Sequence, residues 1–402
     1  MTHDGETPGE RLLGSLLERA HLLQPGLVAP LVAEEVTAAV GWRDVTIYIQ
    51  DYDQLVLHPL TGPGVHTPEP APIDGTLAGR AFSTDRTVEQ QLSGDDVRLF
   101  LPLLDGSDRV GILAATVPGP GDGDRQLARR LASVVADMIV TKGAYTDEYF
   151  NARRTKEMTL AAQIQWQLLP PLTLTTPAMA LAGILEPAYS VGGDSFDYAL
   201  NRHVLSVAII DAMGHGLDAA TMATVAVAAY RNARRAGIGL AGLYAQMDQA
   251  MADQFGPERF ATAQMGDLDV RDGTLRWVNA GHPVPLLLRG RRVVGELAGP
   301  TTLPVGFGGD EPLVRSIQLE PGDRVLFFTD GVVEERMPDG EQFGVARLRD
   351  LVERAGAEAG SLQETVRRLS HALMAARDGR TTDDATLLLI EWAGPGRHDE
   401  LP

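Results

Sequence analysis

The 402-residue chain contains no cysteine. That removes disulfides, thiolate zinc sites and a cysteine nucleophile together, and it suits a cytoplasmic protein. Basic charge is also short. Thirty-five Lys and Arg stand against 54 Asp and Glu, a net charge of −19. Nucleic-acid and anionic-membrane binders need basic surface, so both classes are disfavoured. A phosphate-bearing substrate gains nothing from such an overall field. No apolar run reaches the roughly 18 residues of a membrane span. The start, M-T-H-D-G-E-T-P-G-E, is acidic and polar, unlike a signal peptide. There is no G-x-x-x-x-G-K-[ST] loop, which disfavours an NTPase. The remaining composition, 44% hydrophobic and 22% charged, is that of a globular protein. The length suggests two domains.

What the chain does hold is carboxylate at the ends of strands. Val204–Gly216 reads V-L-S-V-A-I-I-D-A-M-G-H-G. Its first seven residues are nearly all apolar and predict a buried strand ending on Asp211. Gly214 and Gly216 break it, and Leu217–Arg235 is Ala-rich and helix-like. Alone, this fits a functional site no better than a strand, a turn and an aspartate capping the next helix. Three further stretches repeat the arrangement. Leu181–Pro187 leads into V-G-G-D-S-F-D-Y, with Asp194 and Asp197; R-V-L-F-F-T-D-G ends its strand on Asp330; T-T-D-D-A-T-L-L-L-I sets Asp383 and Asp384 just before a strand. If these converge, they repel: two charges about 4 Å apart cost on the order of 4 kcal/mol at an effective dielectric of about 20. A cation makes such a cluster reasonable, and all-oxygen ligation selects magnesium or manganese.

In chain order, Met1–Gly9 reads as a polar tail, and Arg11–Leu23 and Leu27–Val40 carry helical apolar spacing. Asp44–Gln50 predicts a strand that pairs with Leu55–Leu60, followed by a Gly- and Pro-rich loop over Thr61–Pro72. I-D-G-T-L-A-G-R-A-F-S-T-D-R-T-V holds a short helix, and Leu99–Leu104 with Val110–Ala115 predicts a hairpin around D-G-S-D. Leu127, Leu131, Val134, Val135 and Met138 mark one face of a helix. His21, His58 and His66 are isolated and receive no role. Tyr149–Leu169 is predicted as a single helix stopped by Pro170–Pro171. Its stripe of Leu160, Ile164 and Leu168 suits either a second copy of the chain, in a homodimer, or the domain that follows. Gly394–Pro402 reads as a polar tail.

Residues 10–142 resemble a GAF domain, through G-T-L-A-G-R-A-F and the R-L-F-L-P-L-L-D-G-S-D-R-V-G-I-L-A hairpin. That implies a small α/β sensor that takes a small-molecule ligand or dimerises; a cysteine-linked ligand is excluded. Residues 172–393 resemble the PPM family of metal-dependent protein serine/threonine phosphatases, in the bacterial branch that regulates sporulation and sigma factors. The motifs that carry this are V-G-G-D-S-F-D, I-I-D-A-M-G-H-G-L-D-A-A, F-A-T-A-Q, W-V-N-A-G-H-P-V-P-L-L-L, L-E-P-G-D-R-V-L-F-F-T-D-G-V-V-E and T-D-D-A-T-L-L-L-I, in that branch's order. A-A-Q-I-Q-W-Q-L-L-P-P in the linker is also typical of it. The implied fold is α+β: a GAF-like α/β domain, a linker helix over residues 143–171, and a C-terminal αββα sandwich with the metals at one end. Leu217–Arg235 and Leu240–Phe255 would form one helical layer, and Val345–Arg354 and Leu362–Arg377 the other.

The resemblance also implies two divalent ions, Mn²⁺ or Mg²⁺. Asp211 would bridge them, with the Ala212 carbonyl adding an oxygen. Asp194 would hold one ion directly or through water, with Asp197 a weaker candidate, and Asp330 would hold the other. Of the final pair Asp383 is favoured as ligand, with Asp384 beside it. His215 lies four residues beyond Asp211, so a general-acid role is not carried onto it; it and His282 are expected to order their turns. The implied substrate is a phosphoserine or phosphothreonine protein, an anti-anti-sigma factor of the STAS type, with no nucleic acid and no membrane involved. Two alternatives are a two-metal nuclease, opposed by the acidic balance, and an inactive sensor or binding module of the same fold, opposed by the presence of every expected aspartate.

Overall fold

The computed structural model describes residues 6–65, 67–190, 192–337, 340–377 and 383–396. His66, the first five residues and residues 397–402 of the expected tails, Val191 of the V-G-G-D motif and Thr381–Thr382 lie outside the described residues. The chain divides into two compact units, Met1–Glu157 and Met158–Pro402.

The first unit runs α1 Pro8–Ala20, α2 Val28–Val40, β1 Arg43–Gln50, β2 Val56–Pro59, β3 Ala71–Pro72, α3 Leu77–Thr84, β4 Val88–Gln91, β5 Asp96–Asp105, β6 Asp108–Pro118, α4 Asp122–Gly143 and α5 Glu148–Arg153. The expected tail is already helical at Pro8. Thr7 accepts from the Glu10 amide and Glu10 reaches back to the Thr7 amide, a capping box with proline in the first turn. The six strands form one antiparallel sheet in the order β3-β2-β1-β6-β5-β4. Alternation along the strands decides what each face buries. Ile47 and Ile49 face a core with Leu16, Val32 and Val135 from the long helices and Trp42 from the turn after α2. Tyr48 and Ile112 face the other way, against Phe82 and Ala81 of α3.

The second unit runs α6 Leu160–Leu168, β7 Thr173–Thr175, β8 Met179–Glu186, β9 Asp194–Asn201, β10 Val204–Ala212, α7 Gly216–Arg235, α8 Leu240–Phe255, β11 Ala261–Asp269, β12 Thr274–Ala280, β13 Leu286–Arg289, β14 Arg292–Glu296, β15 Arg315–Gln318, β16 Asp323–Phe328, α9 Gly331–Glu334, α10 Gly344–Glu358, α11 Leu362–Ala376 and β17 Ala385–Trp392. Two antiparallel sheets result, ordered β15-β12-β11-β10-β9 and β14-β13-β16-β17-β8-β7. Between them lie Leu205, Val207 and Ile209 of β10, Phe196 of β9, Val325 and Phe327 of β16, and Leu388 and Ile390 of β17. The alternate residues face outward. Ala208 and Ile210 pack under α7 and α8; Leu326, Phe328, Leu387 and Leu389 pack under α10 and α11. This is the αββα sandwich that the motifs imply, with the helices in the expected layers.

One expected element is different. Tyr149–Leu169 is not a single helix: α5 ends at Arg153, residues 154–159 are not helical, and α6 starts afresh on Thr159, whose hydroxyl caps the Ala162 amide. Nor is the predicted stripe the buried face. Ala161, Ala162 and Gln165 are buried, Ile164 and Leu168 are half-buried, and Leu160 is 59% exposed. Small residues win that face because α6 packs closely on the Ala-rich α7. Among the described residues, no helix is long and apolar enough to cross a membrane.

Candidate metal site

Period-two alternation carries the carboxylates to one place. On β10, Leu205, Val207 and Ile209 face between the sheets, so Asp211 continues the same face at the strand's end. Its direct partner across the ladder is Asp194, the first residue of β9. On the other sheet Val325 and Phe327 are followed on that face by Thr329, next to Asp330, and Leu388 is preceded on it by Thr386, just beyond Asp383 and Asp384. Five aspartates thus gather at one end of the inter-sheet layer.

Asp197 does not join them. On β9 it points to the opposite face, under α7, where Arg231 and Arg234 bind it at 2.7 and 2.6 Å. It is a structural anchor, and its alternation with Asp194 and Phe196 was the sequence signal for that.

The five groups differ in setting. Asp194 is 2% exposed, and its Oδ2 accepts from the Thr329 and Thr386 hydroxyls at 2.6 and 2.7 Å. Asp384 is also buried; its Oδ2 accepts from the Asp194 amide at 3.1 Å and from Gln165 Nε2 at 3.0 Å. Asp211 and Asp330 are half-buried, and Asp383 is exposed. The threonines and Gln165 escaped notice in the sequence, although the alternation that places Asp211 also places both threonines.

The electrostatics show the cost of this gathering. Burial, with Asp211 and Asp384 next in effect, holds the Asp194 carboxyl well above its ordinary range. Burial and then Asp330, Asp383 and Asp384 push Asp211 up to about 8. Burial, then Asp383, pushes Asp384 up to about 6 despite the hydrogen bonds it accepts. Asp330 and Asp383 are raised, again by burial first. Asp330 is the neighbour that raises the Asp211 carboxyl most. Among the described residues, none of the five forms an ion pair with lysine or arginine.

Such a cluster lacks positive charge, and its donors are hard oxygens that suit Mg²⁺ or Mn²⁺. Two details fit an ion. Asp384 Oδ1 is buried without a hydrogen-bond partner. The Ala212 carbonyl oxygen lies 3.2 Å from where a Cβ would sit on Gly193, so glycine there keeps a side chain from crowding that oxygen. Among the described residues, no three Asp, Glu, His or Cys side chains are already arranged as metal ligands. One oxygen each of Asp194 and Asp384 is taken up by hydrogen-bond donors.

Gly331 fixes the spacing of the T-D-G turn. A Cβ on it would fall 1.8 Å from the Asp384 carbonyl oxygen. Gly331→Ala is therefore expected to force the Asp383–Asp384 segment away from Asp330 and to destabilise the fold by about 1–3 kcal/mol, as overpacking does. Thermal unfolding checks this; an unchanged melting temperature would contradict it.

The two histidines separate clearly. His282 is buried; Asn279 closes its turn from both sides, through Oδ1 to the His282 amide and Nδ2 to its carbonyl. Its Nδ1 lies 2.7 Å from Thr262 Oγ1, and burial drives its pKa down to about 3, so it stays neutral. His215 is exposed at the start of α7, near Asp383, where it offsets a small part of the rise in that carboxyl.

Residues 201–393 match the family described as Stage II sporulation protein E (SpoIIE). Asp211, Asp330, Asp383 and Asp384 fall inside the match; Asp194 lies just before it. The chain is 26% identical over 266 residues to Protein IcfG of Synechocystis sp., covering 58% of this chain and 41% of IcfG. It is 23% identical over 235 residues to the phosphoserine phosphatase RsbU of Bacillus subtilis, covering 58% and 69%. The chain thus spans less than half the length of IcfG and about two thirds of RsbU. Among solved structures, the SiaA-PP2C domain of Pseudomonas aeruginosa shares the fold, with a TM-score of 0.50 and 23% identity over 58% of this chain and 94% of that one. PPM phosphatases are metal-dependent enzymes. The motifs, the sandwich and the carboxylate cluster thus agree with the SpoIIE match over residues 201–393, most of the second unit, and the fold of that unit is PP2C-like.

Proposed function

We propose that the chain is a metal-dependent phosphatase that hydrolyses phosphoserine or phosphothreonine on a regulatory protein, with the first unit as its sensor. The observation that carries this is the group of five aspartates at the end of the inter-sheet layer, with no lysine or arginine paired to them among the described residues. In this proposal Asp211 would serve two Mn²⁺ or Mg²⁺ ions with help from the Ala212 carbonyl, Asp194 and Asp330 would each hold one of them, and Asp383 and Asp384 would complete the set. When bound, the ions would supply Lewis-acid stabilisation of phosphoryl charge and make water nucleophilic near neutral pH.

The chain's own part is positional. The two threonine hydroxyls fix Asp194, and the apolar inter-sheet core behind it keeps water out. Asp211, Asp330 and Asp383 form the accessible side, where a phosphoester can approach. In this proposal the attacking group would be water, which agrees with the absence of cysteine from the chain.

The substrate proposed is a STAS-type anti-anti-sigma protein. RsbU, whose name records a phosphoserine phosphatase, supports this by similarity. The first unit, proposed as GAF-like, has a cavity of about 440 Å³ lined by residues that include Pro25, His58, Glu69, Glu148 and Tyr149, of a size to take a small molecule. A homodimer belongs to the same proposal. The test is incubation of the purified chain and Mn²⁺ with a panel of phosphorylated STAS proteins from the source organism. Release of phosphate from one of them is expected. Release from an unrelated phosphoprotein and from none of the panel would overturn the substrate assignment.

A further inference from the structure

Helix α6 enters the carboxylate cluster through one side chain. Gln165 is 1% exposed, and its Nε2 donates to two acceptors at once: the Asp194 carbonyl at 2.8 Å and Asp384 Oδ2 at 3.0 Å. Both partners are acceptors, so only the amide's nitrogen end can face them. The same Asp384 oxygen receives the Asp194 amide, and the Asp384 amide donates to Asp383 Oδ1. One carboxamide therefore joins the start of β9 in one sheet to the approach to β17 in the other. The other atoms of the pair are left bare: Gln165 Oε1 and Asp384 Oδ1 are both buried without a hydrogen-bond partner.

The helix that carries Gln165 is seated by groups outside the cluster. Trp166 Nε1 donates to the Ala188 carbonyl at 2.8 Å, Arg231 Nη2 donates to the Leu168 carbonyl at 2.6 Å, and the Thr159 amide donates to the Tyr189 carbonyl at 2.9 Å. A shift of α6 must break one of these bonds or carry the Gln165 amide away from Asp384. Without that amide, Asp384 keeps a single donor and its carboxylate is free to turn.

We propose that Gln165 is a positioning residue, which aims Asp384 and the Asp194 backbone for metal binding. This rests on the assignment of the cluster as a metal site. Partners that orient metal ligands typically contribute about 10–100-fold to affinity or activity.

The test is Mn²⁺ titration of the full chain by calorimetry, with Gln165→Met, Gln165→Asn and Trp166→Phe compared with wild type. Methionine matches glutamine in length and cannot donate; asparagine keeps the amide but is too short to reach. Both are expected to weaken Mn²⁺ binding about tenfold or more, while melting in EDTA shows that they remain folded. Turnover of p-nitrophenyl phosphate should need correspondingly more Mn²⁺, with KM unchanged and kcat recovered at saturating metal. Trp166→Phe removes an anchor of the same helix without touching the cluster, and should change Mn²⁺ affinity by less than about twofold while the Gln165 bonds hold. Unchanged affinity in both Gln165 variants overturns the proposal, as does an equal loss in Trp166→Phe. Wild-type protein that binds no Mn²⁺ overturns the metal site itself, and the proposal with it.

Discussion

Asp211→Asn is expected to lose phosphatase activity and to leave the fold intact. Asp211 lies near the end of a buried strand, opposite Asp194 in the ladder, with Asp330, Asp383 and Asp384 close enough to raise its carboxyl. It is the carboxyl that faces the largest number of others, and a bridging role would place it on both ions. Removing its charge should loosen both at once, so the loss in kcat/KM should exceed the roughly 100-fold upper range for a partner that only orients a ligand. Asparagine is nearly isosteric and neutral, so the metal-free protein is relieved of repulsion and should melt no lower than wild type. Phosphate release and thermal unfolding in EDTA check the two halves separately. A variant with near-normal Mn²⁺-dependent turnover would show that the site is misassigned.

The stability of the metal-free protein should fall as pH rises. In the folded chain Asp211 is pushed up to about 8 and Asp384 up to about 6, by burial first and neighbouring carboxyls second. In the unfolded chain both titrate near 3.9 or so. A carboxyl raised on folding binds its proton more tightly in the native state, so its contribution is complete below about pH 4 and is lost as pH climbs through the folded values. Melting in EDTA should therefore decline between about pH 5 and 8, by an amount on the order of a few kcal/mol. Mn²⁺ should restore stability increasingly across the same window, because the ion takes the place of protons. Asp211→Asn should flatten the decline. A metal-free melting temperature that rises through this range in wild type, and no less in the variant, would contradict the electrostatics of the cluster.

Much of the site is legible in the sequence because strand alternation is a strict period. Once β10 is read from V-L-S-V-A-I-I-D, the side of Asp211 follows from Leu205, Val207 and Ile209. The same rule parts Asp194 from Asp197 on β9, and puts Thr329 and Thr386 on the aspartates' face; applied to every strand, it would have found them. Gln165 is different. Its role depends on which face α6 turns inward, and the apolar residues Leu160, Ile164 and Leu168 point to the wrong one. The buried face is set by close packing of Ala161 and Ala162 on α7, a tertiary effect that hydrophobic spacing does not encode. The break before α6 and the early start of α1 were both marked locally, by the capping residues Thr159 and Thr7. Apolar periodicity alone passes over such signals.

Phosphate release from a phosphoserine protein by the purified full chain, measured in EDTA and then across a Mn²⁺ titration, tests the central claim most directly. The expected result is no turnover in EDTA, saturable turnover as Mn²⁺ is added, and loss of that turnover in Asp211→Asn. Release that is indifferent to Mn²⁺, or that survives Asp211→Asn, would contradict the assignment of the aspartate cluster as a metal-dependent phosphatase site.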